Sequence, residues 1–162
     1  MRLYLVQHGE AVPEGVDPAR PLSETGRSDV AKVARLLAAG GVRVSQVLHS
    51  GKLRAEQTAA LLAAALAPGR TPVARPGLNP KDPTEDIARA AAGWDQDAVL
   101  VGHLPFMARL ASRLLAGRED AGVVAFLPGT ILCLERTEQQ RWTIAWMIRP
   151  ELVGGSGAGG IA

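Results

Sequence analysis

The stretch YLVQHGEA, residues 4–11, contains the feature that decides how the fold is interpreted. Its first residues belong to a short apolar run over residues 2–6, which is typical of a strand buried inside a sheet. The run ends in Gln7, His8 and Gly9, so an imidazole stands where the strand leaves the core. His8 is therefore either an ordinary loop residue or a group that the strand holds rigidly for binding.

The rest of the chain alternates between short apolar runs and helical patterns. The runs that predict strands lie at residues 2–6, 42–50, 71–75 and 97–103. The patterns that predict helices lie at residues 24–39, at residues 52–67, from Asp82 onward and from Pro105 to Gly117. This alternation predicts an α/β fold with three layers, in which helices cover both faces of a mostly parallel sheet.

Capping signals predict where two of these helices begin and where one ends. Ser23 is the expected N-cap of the first helix, and Gly40–Gly41 are expected to stop it. In DPTE, Asp82 is the expected N-cap of the third helix, with Pro83 at the first helical position and Glu85 as the reciprocal capping partner.

The C-terminal part of the chain predicts a hairpin and then a tail. GTILCLER, residues 129–136, and RWTIAWMI, residues 141–148, flank the turn TEQQ and add an antiparallel edge to the sheet. We expect one domain over residues 1–153. The remainder, residues 154–162, reads GGSGAGGIA and is predicted to be a disordered tail, because so many glycines leave little to pack.

Composition excludes several classes of protein. A net charge of +2 is too small for an electrostatic footprint on nucleic acid, and an aromatic content of 4% leaves little for base stacking. No apolar run approaches the roughly 20 residues that span a bilayer, and no signal peptide precedes the first strand, so we expect a cytoplasmic monomer without a membrane segment. Cys133, the single cysteine, lies in the apolar run ILCL and is predicted to be a buried structural thiol.

Chemistry-bearing side chains follow three of the predicted strands. His8 follows the first strand, Ser50, Lys52 and Arg54 follow the second, and His103 follows AVLVG. In open α/β sheets, ligands bind in the crevice beyond the carboxyl ends of the strands. The sequence therefore predicts that two imidazoles and two or three cations meet at one edge of the sheet.

The expected ligand of these residues is a phosphoryl group. Arg54 falls in the first turn of one helix and His103 stands just before another, and helix N-termini attract anions. A neutral imidazole can attack phosphorus when its other nitrogen is fixed, so His8 is the candidate nucleophile. Arg54 would bind phosphate oxygens with its planar fork, and His103, protonated when an anion is bound, would donate to another oxygen. The sequence contains neither a Walker loop nor a G-x-G-x-x-G turn, which argues against a nucleotide-binding site.

Four ordered motifs resemble those of the histidine phosphatase superfamily, and most closely its short SixA-type phosphohistidine phosphatases. The motifs are LVQHGEA, RPLSETG, LHSGKLRAEQTA and VLVGHLPFM, and the likeness covers roughly residues 1–150. The resemblance implies a phosphoglycerate-mutase-like fold and a two-step reaction through a phosphorylated His8. It also implies that Arg54 and His103 are the phosphate-pocket arginine and the second histidine of the family.

One position departs from this resemblance. The family usually reads Arg-His-Gly, whereas Gln7 precedes His8 here, and a neutral donor in place of a charged one costs about 1–2 kcal/mol, or roughly 5- to 30-fold in rate. Arg20, in an Arg-Pro-Leu sequence that members of this branch often carry, is a candidate phosphate ligand if its loop folds over the pocket. The alternative is a solvated loop arginine. Lys52 is a further candidate cation at this edge of the sheet.

An ester substrate would also need a general acid. Asp82 and Glu10 are candidates, although capping is a sufficient structural reason for Asp82. A phosphorylated imidazole can depart already protonated from solvent, so phosphoramidates are favoured over simple sugar esters. The three histidines, with His49, lack the local spacing of a zinc site, and we expect neither metal nor cofactor.

The sequence thus predicts a phosphatase that acts on phosphohistidine of a protein partner through phospho-His8. Two alternatives stay open. One is a phosphatase for a small phosphorylated molecule, which needs Asp82 or Glu10 as a working acid. The other is a non-catalytic phosphoryl-binding module, which the replacement of the usual arginine by Gln7 suggests.

Overall fold

A computed structural model of the chain describes residues 1–154. Apart from Gly154, the predicted glycine-rich tail lies outside the described residues. The helices and strands, in chain order, are β1 (Arg2–Gln7), α1 (Glu24–Ala39), β2 (Gln46–His49), α2 (Leu53–Leu66), β3 (Val73–Ala74), α3 (Glu85–Ala92), β4 (Ala98–Gly102), α4 (Phe106–Ala116), β5 (Ile131–Arg136) and β6 (Trp142–Ile148). A short 3-10 helix, Pro150–Leu152, follows β6.

The strands form a mixed sheet in the order β3-β2-β4-β1-β5-β6. The pairs β3-β2, β2-β4 and β4-β1 are parallel, whereas β1-β5 and β5-β6 are antiparallel. The predicted α/β class, the mostly parallel sheet and the antiparallel edge from the last hairpin are confirmed. No helix within residues 1–154 is long and apolar enough to cross a membrane.

Alternation along the central strands builds a core on each face of the sheet. In β1, Tyr4 and Val6 pack with residues of α1 and α2, whereas Leu3 and Leu5 pack with residues of α3 and α4. All four side chains are at most 2% exposed, as expected for a strand covered on both faces. The helices therefore form two outer layers around the sheet.

Helix α1 begins as predicted, whereas α3 does not. Ser23 caps α1 by accepting a hydrogen bond from the Gly26 N–H at 3.0 Å. The prediction that Asp82 caps α3 is wrong: the N-cap is Thr84, and Asp82 Oδ2 instead accepts the Asn79 N–H at 2.8 Å. The carboxylate closes the turn before the helix, because a short acidic side chain can satisfy a nearby backbone donor as well as a helix end.

Strand β2 and helix α4 are both shorter than predicted. Strand β2 covers only Gln46–His49 of the predicted 42–50, because Val44 donates its N–H to Leu66 at the end of α2 rather than to a neighbouring strand. Pro105 is the N-cap of α4, one residue before the helix proper. Cys133 is fully buried in β5, and burial raises the pKa of its thiol to about 11, so the predicted structural thiol is confirmed.

Candidate active site

Three adjacent strands deliver the candidate residues to one edge of the sheet. His8 follows β1, His103 follows β4 and Arg54 lies in the first turn of α2, which follows β2. Because β2, β4 and β1 are neighbours and parallel, their carboxyl ends meet. A hollow of about 410 Å³ opens there and is lined by Gln7, His8, Glu10, Ala11, Arg20, Arg54, Pro80, His103, Leu104 and Pro128.

The His8 ring is held in one tautomer. Its Nδ1 lies 2.7 Å from the Gly9 carbonyl oxygen, and since a carbonyl only accepts, Nδ1 carries the proton. Gly9 is fixed in turn, because its N–H donates to Thr58 Oγ1 at 3.0 Å. The Nε2 of His8 accepts from Arg54 Nε at 3.3 Å, which is a long contact. Nε2 is therefore the unprotonated nitrogen of the ring.

Burial keeps His8 unprotonated. Loss of solvent lowers the pKa of His8 to about 4, and the positive charges of Arg54 and Arg20 lower it further against the opposing hydrogen bond to Gly9. The imidazole is consequently neutral at pH 7, which is the form that can attack phosphorus.

His103 lies against His8 and is almost completely buried. The two ring centroids are 4.9 Å apart and the rings are tilted by 55°. The His103 Nε2 lies 2.6 Å from Ser50 Oγ, whereas its Nδ1 is buried without a hydrogen-bond partner. Burial, followed by His8 and Arg54, lowers the pKa of His103 to about 3, so the ring is neutral in the empty site. The expected protonation of His103 then requires the charge of a bound anion.

Arg20 lines the hollow rather than pointing into solvent from a loose loop. The bridge between Ala11 and Leu22 closes its loop at the base, and Arg20 Nε donates to the Val12 carbonyl at 3.3 Å. Arg20 has a φ of 49°, in the left-handed region that non-glycine residues seldom adopt. Its charge also helps to lower the pKa of Arg54, after the larger effect of burial.

Gln7 sits at the end of β1 and lines the same hollow. It is only 8% exposed, and its Oε1 is buried without a hydrogen-bond partner in residues 1–154. Gln7 pairs with Gly102 of β4, the residue before His103, so the two side chains leave adjacent strand ends.

The two candidate acids differ in position. Glu10 lines the hollow, and its Oε1 accepts from Ser23 Oγ at 3.0 Å. Asp82 is engaged in the turn before α3, and Pro80 of that loop reaches the hollow instead. The structure therefore brings Glu10, but not Asp82, to the site.

His49 and Lys52 lie outside the lining of the hollow. His49 is buried, and its Nδ1 accepts the Gly51 N–H at 3.2 Å. The Lys52 side chain is exposed at the start of α2, although its charge contributes to lowering the pKa of His103. Within the part of the chain that the structure describes, no three His, Cys, Asp or Glu side chains group so that they could hold a metal ion.

The sequence reasoning missed the supporting contacts of the site. Thr58 fixes Gly9 and donates its hydroxyl to the Arg54 carbonyl at 2.8 Å, one helical turn away. The spacing of four residues on a helix would have placed Thr58 on the same face as Arg54. Nothing in the sequence indicated that Pro80 and Pro128 line the hollow, because both come from irregular loops.

Comparison with known proteins agrees with this geometry. Residues 3–80 match the model of the histidine phosphatase superfamily (branch 1). The structure of the protein histidine phosphatase SixA, complexed with tungstate, superposes with a TM-score of 0.80 at 25% sequence identity, over 93% of this chain and 97% of that chain. The chain belongs to the histidine phosphatase superfamily. The resemblance predicted from the four sequence motifs is thereby confirmed.

Two further comparisons concern a solved structure and a protein with a similar sequence. The alpha-ribazole phosphatase from Shigella flexneri superposes with a TM-score of 0.73 at 20% identity, over 93% of this chain and 97% of that chain. An uncharacterized protein of Picosynechococcus sp. is 28% identical over 165 residues, which cover 91% of this chain and 99% of that protein. The phosphoglycerate-mutase-like fold is confirmed.

Proposed function

We propose that this protein is a phosphohistidine phosphatase that transfers the phosphoryl group of a protein phosphohistidine to His8 and then to water. The observation that carries the proposal is the His8 ring, whose Nδ1 is fixed on the Gly9 carbonyl and whose Nε2 accepts a long hydrogen bond from Arg54 beside a hollow lined by two guanidinium groups. Membership of the superfamily supports phosphoryl transfer, and the likeness to SixA supports phosphohistidine as the donor.

The first step forms a bond between His8 Nε2 and phosphorus. The other nitrogen of the substrate imidazole first takes a proton from solvent; the bond between phosphorus and the substrate nitrogen then breaks, and its electron pair stays with that nitrogen, so neutral imidazole departs. Arg54 and Arg20 bind the equatorial oxygens, Gln7 offers its amide N–H groups, and His103 binds a further oxygen.

In the second step a water oxygen attacks phosphorus and loses a proton to solvent. The bond to Nε2 breaks, its electron pair returns to the ring, and inorganic phosphate leaves. His8 is then neutral again, as its lowered pKa requires at pH 7.

The contacts of the two candidate acids, Glu10 and Asp82, favour a phosphoramidate substrate over an ester. Glu10 Oε1 accepts a hydrogen bond from Ser23 Oγ, and the Asp82 carboxylate is engaged in the turn before α3. An alkoxide leaving group needs a proton donor, whereas an imidazole can leave already protonated. The site therefore suits a substrate whose leaving imidazole is already protonated when it departs.

Labelling of His8 tests the proposal. The protein is mixed with a phosphohistidine donor carrying labelled phosphorus and is denatured at alkaline pH, where the bond between phosphorus and nitrogen survives. We expect label on the wild type and none on His8→Ala. His49→Ala is the matched control, since this buried histidine lies outside the hollow, and it should be labelled normally. Binding of phosphohistidine without any label on His8 would identify a reader module instead.

A small phosphoester is the second candidate substrate, because Glu10 lines the hollow and the alpha-ribazole phosphatase shares the fold. Turnover of phosphohistidine and of p-nitrophenyl phosphate by Glu10→Gln separates the two candidates. We expect turnover of phosphohistidine to persist. A loss of at least tenfold for the ester alone, in a protein that prefers the ester, would instead assign Glu10 as its general acid.

A further inference from the structure

Glu119, in the loop after α4, binds two arginines of that helix. Its Oε2 accepts from Arg109 Nε at 3.1 Å and from Arg109 Nη2 at 2.6 Å, and its Oε1 accepts from Arg113 Nη2 at 3.2 Å. The two arginines are four residues apart and therefore lie on one face of α4. Oε1 also accepts from the Thr84 hydroxyl. Hydrogen bonds from Thr84, Arg109 and Arg113 lower the pKa of Glu119 to about 2, so its carboxylate is charged at pH 7.

The same cluster of charges holds the chain that precedes α3. Thr84 is the N-cap of α3 and is fully buried, and its hydroxyl accepts from Arg113 Nε at 2.7 Å while donating to Glu119. Arg109 Nη1 donates to the backbone carbonyl of Asp82 at 3.3 Å, a contact that does not involve the Asp82 side chain. Each arginine therefore connects Glu119 to the chain just before α3.

The two pieces of chain that this cluster joins both contribute to the lining of the hollow. Residues 79–84, here called the 79–84 segment, place Pro80 in the lining. His103 also lines the hollow, and its carbonyl accepts the Met107 N–H at 2.9 Å in the first turn of α4. Glu119 itself is not part of the lining. The cluster therefore fixes two parts of the wall to each other from outside the hollow.

We propose that Glu119 is a positioning residue that holds Pro80 in place relative to His103 and thereby sets the shape of the hollow. It acts through the two arginines, because its carboxylate neutralises their charges and keeps both forks pointed at the 79–84 segment. Without that carboxylate, two neighbouring guanidinium groups repel each other and gain by turning toward solvent. The effect on substrate rests on the proposed phosphatase function, whereas the affinity of the hollow for an anion is measurable without turnover.

Glu119→Gln keeps the shape of the side chain and removes its charge. We expect the Kd for vanadate and the KM for phosphohistidine to rise by about 2- to 30-fold, the range for residues that act on a site through a packed network. The kcat should stay near the wild-type value, because Glu119 touches no reacting atom. Asp120→Asn is the matched control, since Asp120 is the next residue and forms an exposed ion pair with Arg118, and it should leave all three quantities unchanged.

Arg109→Lys provides a second variant in case Glu119→Gln does not fold. Lysine keeps the positive charge but lacks the planar fork that contacts both Glu119 and the Asp82 carbonyl. We expect the same weakening of vanadate binding. Urea unfolding of each variant establishes that the affinities are measured on folded protein.

A double-mutant cycle with Pro80→Ala distinguishes positioning from general stabilisation. If Glu119 acts through Pro80, Glu119→Gln should weaken vanadate binding less in the Pro80→Ala protein than in the wild type. Pro128→Ala is the control, because Pro128 lines the hollow from a different loop, and there the full effect of Glu119→Gln should persist.

Two results would overturn the proposal. One is strict additivity of Glu119→Gln and Pro80→Ala, and the other is a less stable Glu119→Gln protein that binds vanadate like the wild type. Either result would mean that the cluster only stabilises the fold. If vanadate binding behaves as expected but His8 is never labelled, only the proposed phosphatase function fails.

Discussion

Replacing Arg20 by glycine and by alanine should separate backbone strain from ligand binding. Arg20 has a φ of 49°, and a left-handed conformation costs a non-glycine residue roughly 1–2 kcal/mol. Glycine avoids that cost but adds about 0.4–1 kcal/mol of backbone entropy to the unfolded chain. Arg20→Gly should therefore have a free energy of unfolding about 1 kcal/mol higher than Arg20→Ala.

Both variants lose the same guanidinium from the hollow. A hydrogen bond to a charged group contributes about 1.5–3 kcal/mol, which corresponds to roughly 10- to 150-fold in rate when it acts on the transition state. We therefore expect kcat/KM for phosphohistidine to fall by that factor in both variants, although one of them is the more stable.

Urea unfolding and turnover of phosphohistidine, measured on the same preparations, give both quantities. Arg27→Ala removes an exposed arginine from α1, outside the hollow, and serves as the control whose turnover should stay at the wild-type value. Wild-type turnover by Arg20→Gly would refute the role of Arg20 in binding. A glycine variant less stable than the alanine variant would refute the account of backbone strain.

Four other predictions concern the pH dependence of turnover, the pH dependence of stability, the support of Gly9 and the turn before α3. Burial lowers the pKa of His8 to about 4, so the acid limb of the pH profile of kcat/KM should lie near pH 4 once titration of the substrate is corrected for. An acid limb near pH 6.5 would contradict a buried nucleophile. The free energy of unfolding from urea titrations should be highest above pH 6.5 and fall toward pH 4 and 3, since His8 and His103 take up protons in the unfolded chain first. Thr58→Val leaves the buried Gly9 N–H unpaired, so unfolding should become easier by about 1–3 kcal/mol and turnover should fall, whereas Thr58→Ser should preserve both. Asp82→Ala should lower stability by about 0.5–1.5 kcal/mol and leave turnover unchanged, and a loss of turnover without loss of stability would restore Asp82 as an acid.

The sequence predicted the sheet and the convergence of the site because both follow from local pattern. The apolar run before His8 and the run AVLVG before His103 each indicate a buried strand, and neighbouring parallel strands must bring their exits together. The periodicity of α1 and its cap Ser23 are local in the same way. Placement of the two histidines and Arg54 around one hollow therefore needed no tertiary information.

Other features depended on contacts that local pattern does not encode. The cap of α3 was misassigned because the Asp82 carboxylate accepts the Asn79 N–H of the preceding loop rather than an N–H of the helix, and the N-cap is Thr84. The left-handed backbone of Arg20 depends on the closure of its loop, which involves the bridge between Ala11 and Leu22. Gln7 Oε1 is buried without a hydrogen-bond partner because of the tertiary packing around the end of β1, and no local sequence pattern indicates this.

The charge balance of the hollow links the protonation of the proposed nucleophile, His8, to binding of the ligand. In the empty site, burial beside Arg54 and Arg20 keeps both His8 and His103 neutral, so the guanidinium groups that would bind a phosphoryl dianion also help to keep His8 unprotonated. Two positive charges match the two negative charges of that group. A third cation at position 7 would deepen anion binding, but it would bind the phosphate product as tightly as the substrate. Gln7 therefore leaves the positive charge of the hollow balanced against a dianion rather than in excess of it.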